Sequence, residues 1–239
     1  MADHQHKGTL EYMRFDHRRE GFYKGLERIK ALNFPFEDIL EHYPSFVGHM
    51  SLSRFLGLYE LYKQTLGVAG HIAEVGTYKG ASLLHFAKLV QIFEAESLTQ
   101  VHGFDWFQGT GKDEITSYVK EGTYKESYER VLELVNAQNL GHIAFVHKMD
   151  VIKELKPFLE RYLHLQFKLV FLDAGMYNIV KTVLPLFWER LTPGGIVILD
   201  QYNHEFSPGE TLAVREILPH AKVKTLPNIW MPSAYIVKE

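Results

Sequence analysis

The stretch His71-Ile72-Ala73-Glu74-Val75-Gly76-Thr77-Tyr78-Lys79-Gly80-Ala81-Ser82 decides the fold. A short run, Ile72–Val75, stops at a glycine turn. Leu83, Phe86, Ala87 and Val90 then recur at the spacing of one helical face. Strand, glycine turn and helix in that order open a βαβ unit. Upstream, Leu52, Phe55, Leu56, Tyr59, Tyr62 and Leu66 form one helical stripe. Ser51 is its candidate cap, and Gly67 with Gly70 its stop. Downstream, the apolar runs Val101–Phe104, Ile143–Val146, Leu169–Leu172 and Ile196–Leu199 alternate with helical stretches. Runs without polar alternation suit a parallel sheet covered on both faces. The expected class is α/β, a doubly wound and mostly parallel sheet, with an N-terminal helical cap over 1–70 and the sheet domain over 71–239. Two closing runs, Val223–Leu226 and Ala234–Val237, are separated by Pro227 and Pro232 and predict a hairpin. Pro185 predicts a helix broken into two short segments, because a mid-helix proline costs about 3 kcal/mol.

Composition bounds the function. Cysteine is absent, which excludes a disulfide scaffold, a thiolate zinc site and a cysteine nucleophile together. No apolar run reaches the ~18 residues of a spanning helix, and Met1 to Leu10 has no signal-peptide core. The expectation is a soluble, cytoplasmic protein with no membrane partner. With 26 basic against 29 acidic side chains, there is no basic excess for a nucleic-acid partner.

In an open parallel sheet, ligands bind beyond the carboxyl ends of the strands. The residues at those ends are Glu74 with Gly76–Ser82, then Asp105-Trp106-Phe107, Asp150, Asp173 and Asp200. Aspartate is a common turn residue, but four at one rim suit a ligand rich in hydroxyl and amino groups, or a hard metal ion. The glycines choose between cofactors. A nicotinamide turn wants G-x-G-x-x-G with an acid about 20 residues on, whereas only Gly76 and Gly80 are present and Asp105 lies 29 residues after Gly76. No P-loop pattern occurs. An acid beside the turn repels pyrophosphate but pairs with an ammonium group. The ligand this suggests is S-adenosylmethionine, which carries an amino-acid tail, ribose hydroxyls and an uncharged adenine.

From about Phe34 to Val237 the chain resembles the class I S-adenosylmethionine-dependent methyltransferases, within them the macrocin O-methyltransferase-like group that acts largely on sugar hydroxyls in bacterial secondary metabolism. The segments that carry this are Arg54-Phe55-Leu56 through Tyr59-Glu60-Leu61, Glu74-Val75-Gly76 to Ser82, and Gly103-Phe104-Asp105. Further on they are Phe171-Leu172-Asp173 with Tyr177, Pro193-Gly194-Gly195 to Asp200, and Pro208-Gly209-Glu210-Thr211. The resemblance implies that Glu74 and the backbone of Gly76, Thr77, Tyr78 and Gly80 hold the methionine part, with Ser82 at its carboxylate. It implies Asp105 at the ribose hydroxyls, Trp106 beside the adenine, Asp150 at the adenine amino group, and Asp173 at the rim of the same site. It implies magnesium between Asp173, Asp200 and Gln201, although relatives often carry acids where this chain has Gly175 and Gln201.

The expected reaction is transfer of the sulfonium methyl to a hydroxyl of a small acceptor, a sugar or glycosylated metabolite. Rival readings are a catechol or polyketide phenol acceptor, a binding protein that transfers nothing, and a nicotinamide dehydrogenase, which the glycine spacing disfavours. His204, on the loop after the fifth strand, has the intrinsic pKa of a general base. It and Asp173 are the catalytic candidates, with Lys181 a rival base. Residues 108–124 are polar and irregular, and are expected to form a substrate lid. Trp106, Phe107, Tyr118, Tyr124 and Tyr202 are candidate platforms for the acceptor. Arg54 and Glu60, beside the cap's stripe, read first as a solvated salt bridge and second as cofactor contacts. The aromatic cap could pair two subunits.

Overall fold

The computed structural model describes residues 16–112, 115, 120–205, 207–227 and 229–239. The N-terminal region contributes helices α1 (Asp16–Ala31), α2 (Phe36–Glu41) and α3 (His49–Gln64). Then come β1 (His71–Val75), α4 (Ala81–Phe93), β2 (Val101–Asp105), α5 (Tyr128–Ala137), β3 (Ala144–Lys148), α6 (Val151–Arg161), β4 (Phe167–Leu172), α7 (Tyr177–Arg190) and β5 (Leu191–Leu199). Helix α8 (Pro208–Ile217) and strands β6 (Val223–Lys224) and β7 (Ala234–Val237) complete the described chain.

The strands form one sheet in the order β3-β2-β1-β4-β5-β7-β6. The first five are parallel, and β7 runs antiparallel between β5 and β6. Strand β4 is buried at all six positions, as its unbroken apolar run requires. Side chains alternate across a sheet, so Val170 and Leu172 join a core with α6, α7 and α8. Leu169 and Phe171 join a second core with α3 and α4 on the other face. The closing pair is antiparallel, as expected, but β6 is only two residues long and Leu226 lies beyond it.

Three local expectations need correction. Helix α3 begins after Gly48, so Ser51 lies inside it and caps nothing. Its buried face is Met50, Leu58, Leu61 and Tyr62, while Leu56 and Leu66 of the expected stripe are 52% and 39% exposed. The helix is apolar on more than one side, so periodicity alone chose a face rotated from the one that packs. Third, α7 runs unbroken through Pro185. Val180, Val183, Leu184 and Phe187 of that helix are fully buried. Burying such a side chain is worth about 1.5–3 kcal/mol, so together they outweigh one lost hydrogen bond and the ring clash.

Helix α3 is fixed to the sheet by a buried polar group as well as by packing. The Tyr62 hydroxyl donates to Glu94 Oε1 at 2.6 Å, and the second Glu94 oxygen pairs with Lys168 of β4, which is 1% exposed. That anchoring sets where the rest of α3 stands over the strand ends.

Candidate active site

Strand register builds the site. Val75 is level with Leu172, and Leu172 with Leu199, so Gly76, Asp173 and Asp200 emerge side by side. Strand order reverses between β1 and β4, which is where a crevice opens in such sheets. The first turn lies tight against its neighbour. Gly76 has φ +96°, and a Cβ there would fall 2.4 Å from the Asp173 carbonyl oxygen. Only glycine satisfies both the backbone angle and the approach.

Beyond this edge lies a cavity of about 650 Å³. Of the expected site residues, Gly76, Thr77, Tyr78, Ser82, Asp105, Trp106, Asp150, Asp173 and Gln201 line it. Glu74, Gly80 and Asp200 stand behind the lining, and Glu74 and Asp200 are fully buried. His204 does not line the cavity; it belongs to the turn in which its amide donates to the Gln201 carbonyl. Lys181 donates to the Tyr177 hydroxyl and pairs with Glu216 at the surface, so it is not a base of this site. Of the expected lid, the structure describes 108–112, 115 and 120–124. There Thr110 N donates to Thr123 O at 2.7 Å, and Gly122 N donates to Thr110 O at 2.8 Å. The rest of that segment, Tyr118 included, lies outside the described residues.

Asp105 organises the turns on its part of the cavity lining. Its Oδ2 accepts the Tyr78 amide at 2.8 Å, and its Oδ1 the Phe107 amide at 2.7 Å. Both donors sit at positive φ, 49° and 62°, strained conformations that such bonds hold in place. Burial pushes the Asp105 carboxyl upward, against these amide contacts. The Tyr78 ring meets Tyr124 edge-on at 5.5 Å, and Trp106 Nε1 donates to the Gly109 carbonyl. Asp150 has the turn role open to any aspartate after a strand. It caps α6 by accepting the Ile152 amide at 3.1 Å and pairs with Lys153 at 2.7 Å, while still lining the cavity.

Around the β1, β4 and β5 ends the site is acidic. Glu74 accepts from the Ser82 hydroxyl, and burial pushes its carboxyl up to about 8. Asp173 is raised well above the carboxylate range by burial and by Asp200 beside it, with Arg54 opposing. Between these two acids lies the Arg54 guanidinium. Its Nη1 is 2.6 Å from Asp200 Oδ1, and its Nη2 is 2.7 Å from Asp173 Oδ2. Arg54 is therefore not half of a solvated pair with Glu60, which instead faces Lys63 at 3.8 Å. The cause is three-dimensional: α3 crosses the strand ends and delivers a cation to acids 119 and 146 residues away. Glu210 is a further group the sequence did not single out as a site residue. It is fully buried in α8, accepts the Gln201 amide at 2.7 Å, and is raised by burial and by Asp200.

The expected magnesium set also needs correction, because the residues present do not fit that ion. One oxygen of Asp173 and one of Asp200 are taken by Arg54. Gln201 Oε1 accepts from the Ser207 hydroxyl, 3.1 Å distant. Among the described residues, no group of three or more His, Asp or Glu side chains could hold a metal.

A seven-stranded sheet of this order, with a glycine turn after β1 and acids at the next strand ends, defines the class I methyltransferase fold. A family model described as a methyltransferase domain matches residues 73–202, more than half of the chain, and the chain belongs to that family. The crystal structure of CalS11, a calicheamicin methyltransferase, superposes with a TM-score of 0.81 at 25% identity, covering 93% of this chain and 91% of that one. The apo structure of CalS11, described as a TDP-rhamnose 3'-O-methyltransferase of calicheamicin biosynthesis, gives 0.74 at 27% identity and 93% coverage of both chains. The O-methyltransferase NovP, at 16% identity and a TM-score of 0.61 over 78% of this chain and 79% of that one, shares the fold. Curated protein sequences give no match. Among the described residues, no helix is long and apolar enough to cross a membrane.

Proposed function

We propose that the chain transfers the methyl group of S-adenosylmethionine to a hydroxyl of a small sugar-bearing acceptor. The observation that carries this reading is that one cavity is lined by the Gly76–Tyr78 turn, Asp105 and Asp173 together. At about 650 Å³ it lies within the ~300–1,000 Å³ range of ligand pockets. The likeness to a TDP-rhamnose 3'-O-methyltransferase over 93% of both chains supports a nucleotide sugar as the acceptor class.

The assignment of roles follows from chemistry and position. Asp105, the carboxylate that lines the cavity at the end of β2, takes the ribose hydroxyls. Trp106 and Asp150, neighbours on the same wall, take the adenine ring and its amino group. The Gly76–Gly80 backbone and Ser82 take the methionine part, with buried Glu74 fixing the Ser82 hydroxyl from behind. When bound, S-adenosylmethionine supplies an electrophilic methyl: the oxygen–carbon bond forms as the carbon–sulfur bond breaks, and the electron pair stays on sulfur. Asp173 receives the hydroxyl proton; it lines the cavity, and its ion pair with Arg54 holds it as a carboxylate able to accept. His204 stands off the cavity wall, which leaves Asp173 as the catalytic candidate. The walls hold the acceptor oxygen in line with the methyl, the main task in such a displacement.

The test is calorimetry with S-adenosylmethionine and its demethylated product, then labelled transfer to a panel of nucleotide sugars, glycosylated metabolites and catechols. Binding of both cofactor forms and label in a sugar ether is the expected result. Failure to bind either form would overturn the reading, and label confined to catechols would move the acceptor class.

A further inference from the structure

We propose that Arg54, a residue of the N-terminal cap, is the fixed cation of the reaction centre, holding Asp173 and Asp200 where a divalent ion would otherwise stand, so that the chain works without a bound metal. This rests on the methyl-transfer reading above and adds a positioning residue to it.

Three observations converge. The first is the clamp itself. Each terminal guanidinium nitrogen contacts a different carboxylate, at 2.6 and 2.7 Å. Arg54 also lines the cavity and lies over the Phe171 ring at 5.4 Å. Two carboxylates emerging from adjacent parallel strands repel one another, and a cation between them is the usual remedy. Here that place is filled from within the chain, by a side chain on a helix held down by Leu58, Leu61 and Tyr62.

The second observation is the condition of the third expected ligand. Gly175 has φ +59°, and a Cβ built there would fall 1.5 Å from Gln201 Oε1. The amide therefore occupies the volume that a side chain at position 175 would need. The Ser207 hydroxyl lies 3.1 Å from Gln201 Oε1 and 3.3 Å from the Gly175 carbonyl oxygen. Gly175, Gln201 and Ser207 thus pack together, with the Ser207 hydroxyl shared between the Gln201 and Gly175 oxygens.

The third observation is chemical. A guanidinium carries one charge, cannot deprotonate and presents fixed donors, so it orders a carboxylate pair without fully neutralising it. Arg54 thus sets a fixed positive charge in the cavity wall beside Asp173.

The first measurement needs no acceptor. Manganese, followed by its electron spin resonance, is titrated into the wild-type chain with and without the demethylated cofactor. The free-ion signal is expected to persist undiminished at millimolar manganese, and loss of one equivalent would overturn the proposal. The second uses turnover on whichever acceptor the screen yields. Chelator should leave the wild-type rate unchanged; abolition by chelator with recovery on magnesium would overturn the proposal. Arg54→Ala should lose about 100-fold in kcat, the scale of removing one preorganised charge contact, while calorimetric cofactor affinity holds. Guanidinium ion in solution should restore part of that loss and magnesium none of it. An unchanged kcat, recovery on magnesium, or no recovery on guanidinium in a folded variant would each count against Arg54. Should Arg54→Ala not fold, the wild-type manganese and chelator arms decide. Absence of cofactor binding would sink the methyl-transfer reading instead, and the manganese titration would still judge the clamp.

Discussion

Asp105 has two jobs, and they separate by experiment. Its carboxylate accepts amides from Tyr78 and Phe107, both at positive φ, so it shapes the turns before any ligand arrives. Asp105→Ala should therefore lower folding stability by about 1–3 kcal/mol, the cost of stranding buried donors. It should also cost about 2–4 kcal/mol in cofactor affinity if two charge-assisted bonds to hydroxyls are lost. Denaturant unfolding reads the first and calorimetry the second; unchanged affinity in a destabilised variant would leave Asp105 a structural residue only. At this scale the sequence is informative where a residue and its task are neighbours. Asp105, Asp173 and Asp200 could be placed because each follows a strand. Arg54 could not, because its partners lie more than a hundred positions away and nothing in its own helix signals a buried acid pair. Asp150 shows the reverse difficulty: an aspartate after a strand is legible as a cap, and the same pattern serves both a cap and a cavity wall.

Among the elements, the five parallel strands were legible because each carries a short apolar run, deeply buried in β1, β2, β4 and β5 and only half-buried in the edge strand β3. The helices were harder. A helix apolar on several sides, such as α3, offers periodicity more than one face, and the choice is made by what packs against it. Pro185 misled for a related reason, since a local rule about hydrogen bonding ignores the burial on either side of it. The segment 108–124 is where element and function meet. Its described ends pair across Thr110, Gly122 and Thr123, forming a neck beside Trp106, and Lys112 lines the cavity. If this segment closes over the acceptor, trypsin should cut after Lys112 and Lys120 in the free chain and more slowly with cofactor and acceptor bound. Equal rates in both states would make it an ordinary surface connection.

For the molecule as a whole, the buried titratable groups oppose one another, and this sets how stability follows pH. Burial pushes His85 and His147 down to about 4 and His102 to about 3, the last also under the charges of His147, His71 and His164. In the unfolded chain such groups titrate near ~6.5. As pH falls below that value, the unfolded state takes up protons that the folded state refuses. The histidine contribution is therefore complete above pH ~6.5 and is lost as pH falls toward 4. The acids act in the other direction. Glu74, raised to about 8 by burial, keeps its proton in the folded chain while its unfolded counterpart ionises near ~4.3. Its effect on stability is most favourable below that value and declines as pH rises through 8; Glu210, also raised by burial, acts in the same sense. Stability of the free chain should then form a plateau on the acid side of neutrality and decline on both flanks. Two variants separate the flanks. Glu74→Gln cannot ionise, so its Tm relative to wild type should rise between pH 6.5 and 8. His147→Phe cannot take up a proton, so its Tm relative to wild type should rise between pH 6.5 and 4. Thermal unfolding across this range decides the matter, and a difference in Tm that stays flat with pH for either variant would show that its group does not govern that flank.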